Sequence, residues 1–253
     1  MTETRKRAIH KLLEGIETGD PDAVTVVDEA KYIQHNPQTH EGSEGLAALF
    51  ARLAKMNPRV NLVRVFSDGD YVFAHTEYDF STRRIGFEVF RFEGDRAVEH
   101  WDNIQPRLGP NAAGRSMVDG VTEAAPGEDT EATRTLCTRF VEEVLIARDH
   151  RRLADFIHDD FLDHHPGYSG DLEGWTSALG AEDAGAPIIT YSKLHRVLAD
   201  GDFALTVSEG YLAGAHTSFY NLLRVSGGRI IERWNTTEEV PPLSEWKNDN
   251  GKF

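Results

Sequence analysis

One cysteine, three methionines and no apolar run of about 18 residues mark what this 253-residue chain lacks. A lone cysteine, Cys137, cannot close an internal disulfide, and such usage is expected of a cytoplasmic protein. The missing apolar run leaves no signal for a transmembrane helix. The N-terminal stretch MTETRKRAIHKLL also lacks the apolar centre of a secretory leader. Positive charge is scarce: Lys and Arg number 27 against 42 Asp and Glu, a net charge of −15. That excess repels phosphate backbones and anionic lipid heads, so neither nucleic acid nor a membrane surface is an expected partner. There is no Gly-x-Gly-x-x-Gly, no Walker loop and no Gly-x-Ser-x-Gly elbow. Nucleotide-dependent chemistry and the common serine hydrolases are thereby disfavoured. The pairs His164-His165 and His35 with His40 make weak metal signals, because adjacent side chains on extended backbone point apart. No metal is expected.

What the chain does have is an internal repeat. GFEVFRFEGDRAVEHWDN, ending at Asn103, is matched by SFYNLLRVSGGRIIERWNT, with Gly94 on Gly227, Glu99 on Glu232 and Trp101 on Trp234 at a shift of 133. Upstream, Asp70 and Glu77 fall on Asp202 and Glu209 at a shift of 132, and Tyr32 to Pro37 falls on Phe161 to Pro166 at 129. Matches in one order with slowly growing shifts indicate a tandem duplication of a whole domain. The expected organisation is a first domain over 1–112, a linker over 113–130 rich in Gly, Ala and acids, and a second domain over 131–253.

In each copy helical periodicity precedes strand alternation. Ile9, Leu12, Leu13 and Ile16 form one helical face, residues 22–32 suggest a second short helix, and Leu46, Leu49, Phe50 and Leu53 mark a third. Strands follow over 61–66 and 71–80, then a hairpin across Glu93-Gly94-Asp95-Arg96. Helices first and a meander after is an α+β order. In the tail, Trp246 and Phe253 are the residues expected to dock it.

The hairpin carries the chemistry. Strand alternation puts Val98, His100 and Asp102 on one face and Ala97, Glu99 and Trp101 on the other. A strict two-residue turn would set Glu88 opposite Trp101, whereas one bulged residue would set it opposite Asp102. Trp101, with its counterpart Trp234, is read as packing between sheets.

The short helices, the Tyr-x-Gln-His-Asn-Pro segment, the meander and the closing Glu-His-Trp-Asp strand resemble SnoaL-like polyketide cyclases, which share the cone-shaped nuclear transport factor 2-like fold. The resemblance implies two tandem domains, each a curved antiparallel sheet on short helices around an apolar pocket. It further implies acid/base catalysis without cofactor on a small apolar carbonyl compound: aldol-type cyclisation, dehydration or isomerisation. Asp102 matches the family's acid/base aspartate, with His35, His75, His100 and Glu88 as its expected catalytic companions. Tyr32, Gln34, Asn36, Phe73 and Phe90 are the expected substrate-binding residues. Epoxide opening, or a non-catalytic ligand-binding role, are the alternatives the fold allows. The family's outer-face dimer would become an internal pseudo-dimer here, with further homo-oligomerisation possible. In the second copy Asn235, Asn221, Val207 and Arg233 replace Asp102, Glu88, His75 and His100. An amide cannot shuttle a proton as a carboxylate does. One working pocket and one degenerate copy are therefore expected.

Overall fold

A computed structural model describes residues 2–253. They form two compact units, one of residues 2–107 with 241–253 and one of residues 108–240. The first begins with α1 (Thr2–Thr18), whose Ile9, Leu12, Leu13 and Ile16 are buried as the helical spacing predicts. The expected second helix is only a single 3₁₀ turn over Ala23–Val26. Thr25, Val26 and Val27 are β-branched and resist helix extension, and the Asp28 amide is drawn to the Ala97 carbonyl at 2.8 Å. Then come β1 (Ile33–Gln34), α2 (Gly42–Leu53), β2 (Arg59–Asp68), β3 (Tyr71–Asp79), β4 (Arg83–Glu93) and β5 (Arg96–Pro106). The sheet order is β1-β5-β4-β3-β2, an antiparallel meander with β1 added parallel to β5. The apolar cluster of α1, α2, Tyr32, Val72, Phe90 and Phe92 fills the inner face of this sheet.

The second unit opens with α3 (Thr130–Phe140), capped by the Asp129 carboxylate and continued by a π-helical turn, Val141–Ile146. A short helix, α4 (Leu153–Phe156), follows and gives way to β6 (Ile157–Asp163). After α5 (Leu172–Gly180) a small ribbon of β7 (Glu182–Asp183) and β8 (Ala186–Pro187) leads into β9 (Ile189–Asp200), β10 (Phe203–Leu212), β11 (Ala215–Ser226) and β12 (Arg229–Glu239). The order β6-β12-β11-β10-β9 repeats that of the first sheet strand for strand.

The expected domain boundaries differ from the observed units because the connecting segments are structured. Residues 108–129 pack on the second unit: Asn111 Nδ2 donates to the Asp163 carbonyl, Arg115 to the Gly170 carbonyl, and Trp234 Nε1 to the Asp119 carbonyl. Residues 241–253 belong to the first unit, so each unit is finished by the segment that follows the other's last strand. Trp246 and Phe253 are half-buried, and polar groups also hold the tail. Its buried residues are Asn248 and Lys252. Asn248 Nδ2 donates to the Asn36 and Thr39 carbonyls, Asn250 Nδ2 to the Gln34 carbonyl, and the Lys247 amide to the Pro37 carbonyl. Cys137 is fully buried, and burial pushes its thiol up to about 12, so it is inert at neutral pH. No helix among the described residues is long and apolar enough to cross a membrane.

Candidate active site

The hairpin β4–β5 contains one bulge, between Arg91 and Phe92, and this sets Glu88 directly opposite Asp102 and Phe90 opposite His100. All four side chains therefore share the inner face of the sheet. Glu88, His100 and Asp102 are 3%, 7% and 4% exposed, which marks a polar cluster inside an apolar shell. Such groups persist only if hydrogen-bonded. Glu88 accepts from the Tyr78 hydroxyl at 2.7 Å and shares a hydrogen bond of 2.7 Å with His100 Nε2. Gln34 Oε1 accepts from the Asn36 amide, which fixes the amide's orientation, and faces His100 Nδ1 at 2.9 Å. Nδ1 is thus the donor in that contact, and Nε2 shares its proton with Glu88. Phe90 stacks on the His100 ring at 4.4 Å and holds it in this line.

Asp102 is bound from two sides. Asn36 Nδ2 donates to Oδ2 at 2.6 Å, and Lys252 Nζ lies 2.9 Å from the Asp102 carbonyl and 3.3 Å from Oδ1. Lys252 is itself buried, so this pair sits where solvent screens little. Tyr32 completes the cluster. Burial, then the negative charges of Glu88 and Asp102, hold both Tyr32 and Tyr78 well above the usual tyrosine range, so both remain protonated donors. The Tyr78 proton is used on Glu88, whereas the buried Tyr32 hydroxyl has no hydrogen-bond partner among the described residues. Glu88, His100 and Asp102 each offer one ligand-type atom within 4.8 Å of the others and are the described residues that could hold a metal. Each already has protein partners, and Lys252 supplies the positive charge at Asp102.

Of the expected site residues, Asp102, Glu88, His100, Tyr32, Gln34, Asn36 and Phe90 come together. His35, His75 and Phe73 do not. The pairing of Ala74 with Glu88 and His75 with Phe87 puts His75 and Phe73 on the outer face. There His75 stacks on Phe87 and contacts Arg64 Nη1 at 2.9 Å. His35 follows Gln34 on β1 and so turns to the same outer face, stacked on Trp101 at 4.6 Å. Its ring nitrogens meet the Gly251 carbonyl and Glu99 Oε1, and Glu99 in turn accepts from Arg91. Trp101 thus has His35 as a stacking partner. Tyr78 and Lys252 join the cluster without any motif. Strand alternation from Ala74 would have found Tyr78, but nothing local marks Lys252.

In the second unit the equivalent inner face is rebuilt. Arg233 stands where His100 does, bridging Asp163 at 2.8 Å and Asn221 Oδ1 at 3.0 Å, with its guanidinium 4.1 Å over the Trp175 ring. Beside it is a cavity of about 260 Å³, lined by Trp175, Leu179, Tyr191, Phe219, Arg233 and Asn235 among others. The copy expected to be degenerate therefore retains an internal space.

Residues 9–100, which lie within the first unit, match the sequence model of the SnoaL-like domain. Solved structures similar to the chain include TsrD from Streptomyces laurentii, at 19% identity and TM-score 0.37, covering 41% of this chain and 89% of that one. An NTF2-like protein of unknown function from Mesorhizobium loti aligns at 21% identity and TM-score 0.36, covering 46% and 98%. A Mycobacterium tuberculosis LEH-like epoxide hydrolase aligns at 18% and 0.37, covering 41% and 84%. Comparison of the sequence with curated proteins returned no match.

Proposed function

We propose that the first unit is a cofactor-independent acid/base catalyst acting on a small, largely apolar carbonyl compound. The observation that carries this is the buried, protonated Tyr32 hydroxyl, which has no hydrogen-bond partner among the described residues and feels the charges of Glu88 and Asp102. A donor without a partner next to a carboxylate is what proton abstraction beside a carbonyl requires. Asp102 takes the proton from the α-carbon, the C–H electron pair forms the new C=C bond, the carbonyl π pair moves onto oxygen, and Tyr32 donates a hydrogen bond to the enolate oxygen so formed. Asn36 and Lys252 hold the Asp102 carboxylate in one orientation. The line Tyr78–Glu88–His100–Gln34 is a second proton-carrying group, suited to protonating another carbon or a departing hydroxyl. Isomerisation, dehydration and aldol-type closure all use these two steps. His35 and His75, on the other face, take no part.

The test needs no knowledge of the natural substrate. α-Proton exchange of 2-tetralone in D₂O, followed by NMR, reports enolisation directly. The wild-type chain should accelerate exchange over buffer. Asp102→Asn should lower the enzymatic rate by a factor on the order of 10² to 10⁴, and Tyr32→Phe by about 10² to 10³. No acceleration by the wild type, or an unchanged rate in Asp102→Asn, would overturn the assignment.

A further inference from the structure

The cavity of the second unit is independent of that chemistry, and its lining is specific enough to name a ligand class. At about 260 Å³ it lies below the usual range for drug-sized ligands and suits a molecule of one or two rings. Its walls are aromatic and aliphatic: Trp175, Tyr191, Phe219, Leu179 and Ile189. The charges at its edge cancel. The Arg233 guanidinium is paired with the fully buried Asp163, and both are hydrogen-bonded further, Arg233 to Asn221 and Asp163 to the His165 amide. His165 is neutral, because burial and then the nearby Arg233 charge push it down to about 3. Its Nδ1 accepts from the Gly167 amide at 3.0 Å, so its one proton is on Nε2. A charged ligand would find no counter-charge that is not already engaged.

Among the described residues of this lining, the buried side-chain acceptor left without a donor is on Asn235. Asn235 is 5% exposed, and its Oδ1 has no hydrogen-bond partner among the described residues. A buried acceptor without a donor is uncommon, and a ligand that donates to it recovers the interaction. Asn235 occupies the strand position of Asp102 but, as an amide, cannot accept a proton from carbon. Binding without turnover is what this geometry allows.

We propose that the second unit is a binding site for a small, uncharged, ring-containing alcohol or phenol, whose hydroxyl donates to Asn235 Oδ1 and whose ring lies among Trp175, Tyr191 and Phe219. Phenols and their methyl ethers separate the donor requirement from mere apolar fit, because the ether keeps the oxygen and loses the proton. Ligand-observed NMR titration of the full chain should show 4-ethylphenol binding at least tenfold more tightly than 4-ethylanisole. Asn235→Leu, close in volume but without an acceptor, should erase that preference. Ala178→Phe, which projects into the cavity from α5, should abolish phenol binding while thermal unfolding stays near that of the wild type. If Ala178→Phe proves unstable, the Asn235→Leu comparison decides alone. Equal affinity for the two compounds in the wild type, a preference that survives Asn235→Leu, or binding that persists in a folded Ala178→Phe would each overturn the proposal.

Discussion

The two units agree on one face of their sheets and disagree on the other. On the outer face His35 stacks on Trp101 and bridges Glu99 to the Gly251 carbonyl; in the second unit His164 stacks on Trp234 and bridges Glu232 to the Ser116 carbonyl. Arg91 and Arg224 complete the same network on Glu99 and Glu232. A constellation present in both copies, with its connecting strand and strap, serves the fold. On the inner face the line Gln34–His100–Glu88 becomes Asp163–Arg233–Asn221. The charges are exchanged as a set: the carboxylate leaves the strand position of Glu88 and reappears at that of Gln34, opposite the new guanidinium. Asp102 likewise changes together with its partner. Gly251 and Ser116 occupy equivalent places, so Lys252 corresponds to Met117, a buried apolar residue in the unit that has Asn235. Where the carboxylate is gone, so is the lysine that met it, since an unpaired buried ammonium is costly.

This comparison can be broken in four ways. The largest effect is expected in the first unit: Asp102→Asn should reduce α-proton exchange by a factor on the order of 10² to 10⁴, while Asn235→Asp should create no exchange activity in a chain that also carries Asp102→Asn. Activity in that double variant would erase the division of labour between the units. Next, Arg233→Met leaves the fully buried Asp163 without its cation. Removing one partner of a buried pair costs about 3–5 kcal/mol, which a lowered urea midpoint would show. A loss under ~1 kcal/mol would mean that the rebuilt inner line contributes little to stability.

The third effect is pH-dependent. Folded His165 is held down to about 3, whereas in the unfolded chain it titrates near the ordinary histidine value of 6.5. Between those values the unfolded state binds the extra proton, so stability falls as pH falls through that window, by at most ~1.4 kcal/mol per unit. The difference between wild type and His165→Gln should thus be small at pH 7.5 and about 2 kcal/mol at pH 5. Urea midpoints across that range check it, and a constant difference would refute it. The smallest effect should come from Lys252→Met, which gives the first unit the residue type of Met117. With Asn36 still bonded to Asp102, the loss should be roughly 1–2 kcal/mol. In Asp102→Asn the same change should cost less, because the charge it answered is absent; equal costs in both backgrounds would mean that Lys252 acts through the Asp102 carbonyl alone.

Much of the inner face was open to reading along β5. Strand alternation alone joins His100 to Asp102, and the choice between a strict turn and one bulge reduces the place of Glu88 to two options. His35, His75 and Phe73, which the resemblance implies as site residues, lie on the outer face. None of them is on β5, and a shift of one residue in pairing reverses every side chain of a strand. The register of β3 on β4 runs unbroken from Tyr71 opposite Arg91 to Asp79 opposite Arg83, and this sets His75 opposite Phe87 rather than opposite Glu88.

The amino-acid sequence by itself determined the duplication, the helix-then-meander order of each copy, the alternation that pairs His100 with Asp102, and the replacement of that aspartate by Asn235. Those are local or self-comparative properties, carried by periodicities of two and 3.6 and by the chain's likeness to itself. Only the tertiary structure decided which histidines face inward, that the Tyr32 hydroxyl has no hydrogen-bond partner among the described residues, and that each unit is finished by the segment that follows the other's last strand in sequence. These depend on register and on contacts between residues as far apart as Asp102 and Lys252, where the free energy of burying charge, rather than any local preference, selects the partner.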